Sequence, residues 1–118
     1  MEGPQAFPRA ARLTDAADYR YVFSDAIKLS DRYFVVLYRP GRGRGARLGL
    51  AIAKKRLRRA VDRNRVKRLV RERFRHWRAR LGSRDLVVLA RDGLAARDKA
   101  TLSASLDRLF GQVAQDSA

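Results

Sequence analysis

The chain has 118 residues, no Cys, a single His and a formal net charge of +16 at pH 7. That length suits a single domain over 1–118, because a chain of this size buries roughly two-thirds of its unfolded surface and has no room for a second core. The lack of Cys excludes disulfides and thiolate metal sites, no apolar run approaches the ~18 residues of a membrane span, and Met1 to Ala11 lacks the apolar stretch of a secretory signal, so the cytoplasm is the default expectation.

Met1 to Pro8 carries Gly3, Pro4 and Pro8 and is expected to be a flexible N-terminal segment. From Thr14, read as an N-cap, Tyr19, Val22, Phe23, Ala26 and Ile27 recur at helical spacing; the helix should end near Asp25, with a short strand over Ile27 to Ser30. Asp15 and Asp18 fall in its first turn, where carboxylates suit the helix dipole. Tyr33 to Tyr38 is β-branched and aromatic and reads as a strand. Pro40-Gly41-Arg42-Gly43-Arg44-Gly45 then makes a flexible loop, so this strand and the next are expected to pair as a hairpin with a long basic tip.

Leu48 to Ala53 alternates Leu48, Leu50 and Ile52 with Gly49, Ala51 and Ala53, leaving the second face almost bare. Small residues there fit either close helix packing or the floor of a groove. A long helix follows from about Val61 to Leu81, with Asp62 read as a cap and Gly82 as the stop. Leu86 to Ala90 is a buried strand. Asp98 or Thr101 caps a last helix in which Leu102, Leu106, Leu109, Phe110 and Val113 share a face, ending near Gln115. The order α-β-β-β-α-β-α defines an α+β domain, a mixed sheet with helices packed on it, and the unit from Leu48 to Ala90 would by default cross over right-handedly.

Charge is concentrated on the long helix. From Lys54 to Arg80 there are 14 Lys and Arg against Asp62 and Glu72, so +12 of the net +16 sits in one window. At 100° per residue, Val66, Leu69, Val70, Phe74, Trp77 and Leu81 fall in one arc, while Asn64, Lys67, Arg68, Arg71, Arg75 and Arg78 fall opposite. A merely solvated face would interleave acids at i,i+4, and this one nearly lacks them; the pattern points to a polyanion partner. An anionic membrane surface fits less well, because Phe74 and Trp77 are used by the core and no exposed apolar flank remains.

Catalytic groups are scarce. A metal nuclease needs gathered carboxylates and a metal-free one needs paired acid and base groups, and neither set is evident. His76, beside Trp77, reads as a surface or boundary residue. Gly41-Arg42-Gly43-Arg44-Gly45 lacks the Lys-Ser/Thr ending of a P-loop. No catalytic and no metal-ligating residue is assigned.

The stretch Leu48-Gly49-Leu50-Ala51-Ile52-Ala53-Lys54-Lys55, the entry Ala60-Val61 and the run Arg63-Asn64-Arg65-Val66-Lys67-Arg68-Leu69-Val70-Arg71 together resemble the signature of the bacterial ribonuclease P protein family. Leu13 to Phe23 is similar to the family's first helix with its aromatic pair, and the later elements follow in the same order, so the resemblance covers about 100 of the 118 residues. It implies an accessory subunit that joins a catalytic RNA and helps it remove the 5′ leader of precursor tRNA by endonucleolytic hydrolysis. It also implies a left-handed crossover in place of the default. Chemistry would belong to the RNA with Mg²⁺, the protein alone binding no cofactor, and no obligate protein partner is implied. Lys54, Lys55, Arg63, Asn64, Arg65, Lys67, Arg68 and Arg71 would contact RNA, Arg by bidentate phosphate contact and Lys67 as a point charge. Tyr19 and Phe23 would line a cleft for the single-stranded leader, with Val35 and Leu37, although Tyr19, Val22 and Phe23 at helical spacing also fit a plain core role. Which strand face, Phe34-Val36-Tyr38 or Tyr33-Val35-Leu37, meets that cleft is left open by strand parity. The competing class is a structural RNA-binding protein such as a small basic ribosomal protein; a helix-turn-helix DNA binder lacks its short preceding helix and turn.

Overall fold

A computed structural model describes residues 9–42 and 45–116. The expectation for Met1 to Pro8 and the middle of the glycine-arginine loop, Gly43 and Arg44, lie outside the described residues. In chain order come a 3-10 turn at Arg9–Ala11, α1 (Ala16–Ser24), β1 (Ile27–Ser30), β2 (Phe34–Pro40), β3 (Arg47–Ala51), α2 (Ala60–Trp77), a 3-10 turn at Arg78–Arg80, β4 (Arg84–Ala90), a 3-10 turn at Leu94–Ala96 and α3 (Lys99–Gln115).

The four strands form one mixed sheet in the order β1-β2-β4-β3. β2 and β3 do not form the expected hairpin. β4 lies between them, antiparallel to β2 and parallel to β3, and the hairpin is β1 with β2. Leu86, Val87 and Val88 are buried although they point to alternate faces, a demand only a central strand covered on both sides can meet. The connection after β2 is tied to the start of β4: Gly41 N donates to the Ser83 carbonyl at 2.8 Å, and Gly45 N donates to Ser83 Oγ at 3.3 Å. It therefore steps across one strand, about 10 Å, which a few residues span easily.

Register sorts the side chains. On one face Phe34, Val36, Tyr38, Leu48, Leu86 and Val88 meet Val66, Leu69, Val70 and Phe74 of α2 and Leu102, Leu106, Leu109, Phe110 and Val113 of α3. Phe74 and Phe110 pack edge to face with centroids 6.1 Å apart, and the Trp77 ring lies where a Cβ on Gly111 would approach to 3.2 Å. Asp107 joins the two helices by accepting from Arg73 Nε at 2.8 Å and Trp77 Nε1 at 3.0 Å. On the other face a smaller cluster, Leu13, Val22 and Val87 with Leu37 and Leu89 against it, seats α1.

Helix ends depart from the sequence pattern for local reasons. Asp15, not Thr14, is the N-cap of α1, and its side chain makes no capping bond. Leu13 N donates to the Leu48 carbonyl at 2.9 Å and Arg12 bridges Leu48, so these residues extend along the edge of β3 and delay the helix. Arg59 occupies the N-cap of α2, leaving Asp62 in the first turn, where its charge still suits the helix dipole. α2 ends at Trp77 instead of Leu81, because a 3-10 turn closed by Leu81 N on the Arg78 carbonyl tightens its exit into Gly82, at φ +65°. β3 stops at Ala51, two residues early. At α3 the cap is Asp98, accepting from Thr101 N at 2.8 Å.

Candidate nucleic-acid interface

A turn follows β3 directly. The Ala53 carbonyl accepts from Arg56 N at 3.0 Å and Leu57 N at 3.3 Å, and the buried Leu57 pins the turn to the core. Lys54 and Lys55 are left exposed on it. The helix that comes next aims its cations away from the buried stripe of Val66, Leu69, Val70 and Phe74. Asn64, Arg65, Arg68 and Arg71 are exposed and Lys67 is half-buried. Asn64, Arg68, Arg71 and Arg75 line one shallow depression. Arg65 and Arg68 line a neighbouring one with Glu72 and Lys99, and there the single acid, Glu72, is paired to Lys99 at 3.7 Å.

Arg63 differs from the other cations of the run. Its Nη1 donates to the carbonyls of Leu57 at 2.9 Å and Arg58 at 2.8 Å, so it braces the turn that presents Lys54 and Lys55. Arg78, placed by helical spacing on the same arc, donates from Nε to the Ala46 carbonyl at 3.2 Å. Arg80 stacks on Trp77, its guanidinium carbon 3.9 Å from the ring centroid.

The open half of the sheet makes a second feature, a cleft of about 630 Å³. Ser30, Val35, Leu89 and Ala51 lie in one cross-strand row, and three of them, Val35, Leu89 and Ala51, form the apolar floor. Lys28, Arg32, Lys55, Arg56 and Arg91 surround it, with Asp92. The parity question is thereby answered: Phe34, Val36 and Tyr38 are buried in the main core, while Val35 and Leu37 share the α1 face. Leu37 packs with Val22 and Val87 beneath α1 and does not line the cleft. Lys28, Arg32 and Arg91 escape sequence reasoning because they come from three separate elements. Only the register, which sets Lys28 opposite Leu37, could have pointed to the first.

The aromatic pair divides. Tyr19 is half-buried, its ring seated where a Cβ on Gly49 would approach to 2.8 Å; of the two roles offered for the small residues of β3, close helix packing applies at Gly49 and a groove floor at Ala51. Tyr19 also faces a separate recess of about 210 Å³ shared with Arg12, Lys67 and Arg71. Neither ring lines the sheet-face cleft, contrary to expectation, because α1 sits over the Leu37 and Val87 end of the sheet; Phe23 is 48% exposed on the last turn of α1 and belongs to neither core cluster. Val22 between them is fully buried.

The far end of α1 is fixed by charge. Arg47 makes a bidentate pair with the fully buried Asp85 at 2.9 and 2.7 Å and lies 3.6 Å from Asp18. The hydrogen bond to Asp85 holds the Arg47 guanidinium above its ordinary value. Guanidiniums of Arg39 and Arg42 lie over the Tyr21 ring at 3.8 and 4.1 Å. Among the described residues no three His, Asp or Glu side chains gather closely enough to hold a metal ion, His76 is exposed, and no helix is long and apolar enough to cross a membrane.

A small α+β domain that presents, among its described residues, a helix face of cations without acid partners beside a cation-rimmed apolar cleft has the features of the RNA-binding class of proteins. The family description Ribonuclease P matches residues 7–114. The chain belongs to the ribonuclease P protein family, and its work is tRNA processing in a ribonucleoprotein with the RNA of ribonuclease P. It is 50% identical over 113 residues to a ribonuclease P protein component of Thioalkalivibrio sulfidiphilus, covering 96% of this chain and 94% of that one. With the component of Methylococcus capsulatus it shares 47% over 102 residues, 86% of this chain and 80% of the other. Among solved structures, the RNase P protein of Staphylococcus aureus superposes with a TM-score of 0.80 at 27% identity, covering 91% and 97% of the two chains. That of Thermotoga maritima gives 0.75 at 32% identity, covering 86% and 96%.

Proposed function

We propose that the chain grips the catalytic RNA of ribonuclease P through the exposed face of α2 and the Lys54-Lys55 turn, and that the sheet-face cleft takes the single-stranded 5′ leader of precursor tRNA. The RNA, with Mg²⁺, performs the hydrolysis in the cytoplasm, and the protein raises affinity for the substrate that carries a leader. The cations of α2 carry this reading: among the described residues no acid lies within ion-pair distance of Lys67, Arg68, Arg71 or Arg75, so a phosphate backbone is a partner that relieves their mutual repulsion. Arg63 contributes by holding the turn in place.

An apolar floor with a cationic rim suits single-stranded RNA of varied sequence, since backbone contacts are indifferent to base identity. Adding the purified chain to its cognate catalytic RNA at low Mg²⁺ should restore cleavage of precursor tRNA at the mature 5′ junction, whereas the protein without RNA should not cleave. Its affinity for the RNA should fall steeply with salt. With six or more phosphates engaged, log affinity against log salt has a slope of roughly −4 or steeper; a nearly flat line would contradict the α2 interface.

A further inference from the structure

Asp92 is the one carboxylate among the residues lining the sheet-face cleft, and it is spent on Arg56 at 2.8 Å. β3 and β4 are parallel neighbours, so the turn after β3 and the turn after β4 emerge at the same end of the sheet, and this pair joins them across it. Both partners reach solvent, with side-chain exposures of 40% for Arg56 and 73% for Asp92. Such an exposed pair adds little stability. The other cations of the cleft have no carboxylate within ion-pair distance among the described residues; Arg91 donates to a backbone carbonyl, that of Asp31, at 3.2 Å. A carboxylate on the rim of a surface that binds a polyanion works against that binding by repulsion.

We propose that Asp92 is a built-in competitor for phosphate at Arg56, which caps how tightly the cleft holds a single RNA strand and so favours its release after cleavage. A strand phosphate can engage Arg56 only by displacing the carboxylate, and it must then tolerate that charge beside it. This rests on the reading that the leader lies in the cleft.

The test compares holoenzymes reconstituted with the catalytic RNA, measuring affinity for precursor and mature tRNA over a range of salt. Asp92→Asn should tighten precursor binding about two- to five-fold, the size of one exposed ion pair, steepen the salt slope by about 0.7 for one added single-strand phosphate contact, and slow leader release, with mature tRNA unaffected. Asp92→Glu should restore the original behaviour, and in an Arg56→Gln background Asp92→Asn should lose most of its effect. Weaker or unchanged precursor binding by Asp92→Asn would overturn the proposal and make Asp92 a mere brace for Arg56. Lys28→Gln, an exposed rim cation, separates the two readings. If it weakens precursor but not mature tRNA binding while Asp92→Asn fails to tighten, the leader cleft stands and only the competitor falls; if it changes nothing, both fall.

Discussion

The Tyr19 hydroxyl accepts a hydrogen bond from Leu50 N at 3.0 Å and reaches back to the Leu50 carbonyl at 3.4 Å, while its ring fills the space left by the missing side chain of Gly49. One tyrosine thus docks α1 on the edge of the sheet and satisfies a backbone amide there. A Cβ on Gly49 would sit 2.8 Å from the ring carbons, so Gly49→Ala must push the ring away and break both contacts. The expected cost is about 1–3 kcal/mol, read as a lowered midpoint in denaturant unfolding. Tyr19→Phe, which keeps the ring and loses the hydroxyl, should cost about 1 kcal/mol. Equal stability of wild type and Gly49→Ala would show that α1 is not held at this point.

Arg68 and Arg80 each carry one charge, but only Arg68 is exposed on the unpaired face of α2, whereas Arg80 is stacked on Trp77. Arg68→Ala should weaken binding to the catalytic RNA with little change in melting temperature. Arg80→Ala should leave binding nearly intact and cost about 0.5–1 kcal/mol of stability through the lost stacking. Equal losses of RNA affinity would mean that net charge alone sets the interaction.

Phe23 is exposed and lies in neither core cluster, so Phe23→Leu should not lower stability measurably. Removing a flat ring on which a base can stack should reduce affinity for precursor tRNA by on the order of 1 kcal/mol or more, with affinity for mature tRNA unchanged. A parallel drop for both tRNA forms would withdraw Phe23 from the leader site.

Tyr38 ties the sheet to the end of α3 by donating to Asp116 Oδ2 at 2.6 Å. Burial pushes its hydroxyl from the ordinary 10.0 up to about 12, with the bond to Asp116 and the charge of that carboxylate acting in the same direction and Arg84 opposing them. The folded protein keeps a proton that the unfolded chain gives up, so this contribution is complete below pH 10 and is lost as pH rises toward about 12. Denaturant titrations of wild type and Tyr38→Phe across that alkaline window should show the steeper decline in the wild type; parallel curves would remove Tyr38 as the cause.

Local pattern carried the helices, the strands and the cationic face of α2. The spacing of Val66, Leu69, Val70 and Phe74 sets which side of α2 is buried, and the cations follow opposite because 3.6 residues per turn leaves them nowhere else to go. The Leu48 to Lys55 stretch, the Ala60-Val61 entry and the Arg63 to Arg71 run were together enough to reach the family.

Sheet order was beyond local pattern. Whether β2 pairs with β3 or with β4 depends on contacts between residues some 50 positions apart, and only burial of β4 on both faces decides it. The cleft follows from that choice, since Val35, Ala51 and Leu89 become neighbours only when β4 lies between β2 and β3. Likewise the sequence could place Tyr19 and Phe23 on one helix but not divide their roles: Gly49 draws one ring onto β3, and the other stays about half exposed. A periodicity records which residues share a face, while the packing of distant elements determines what that face meets.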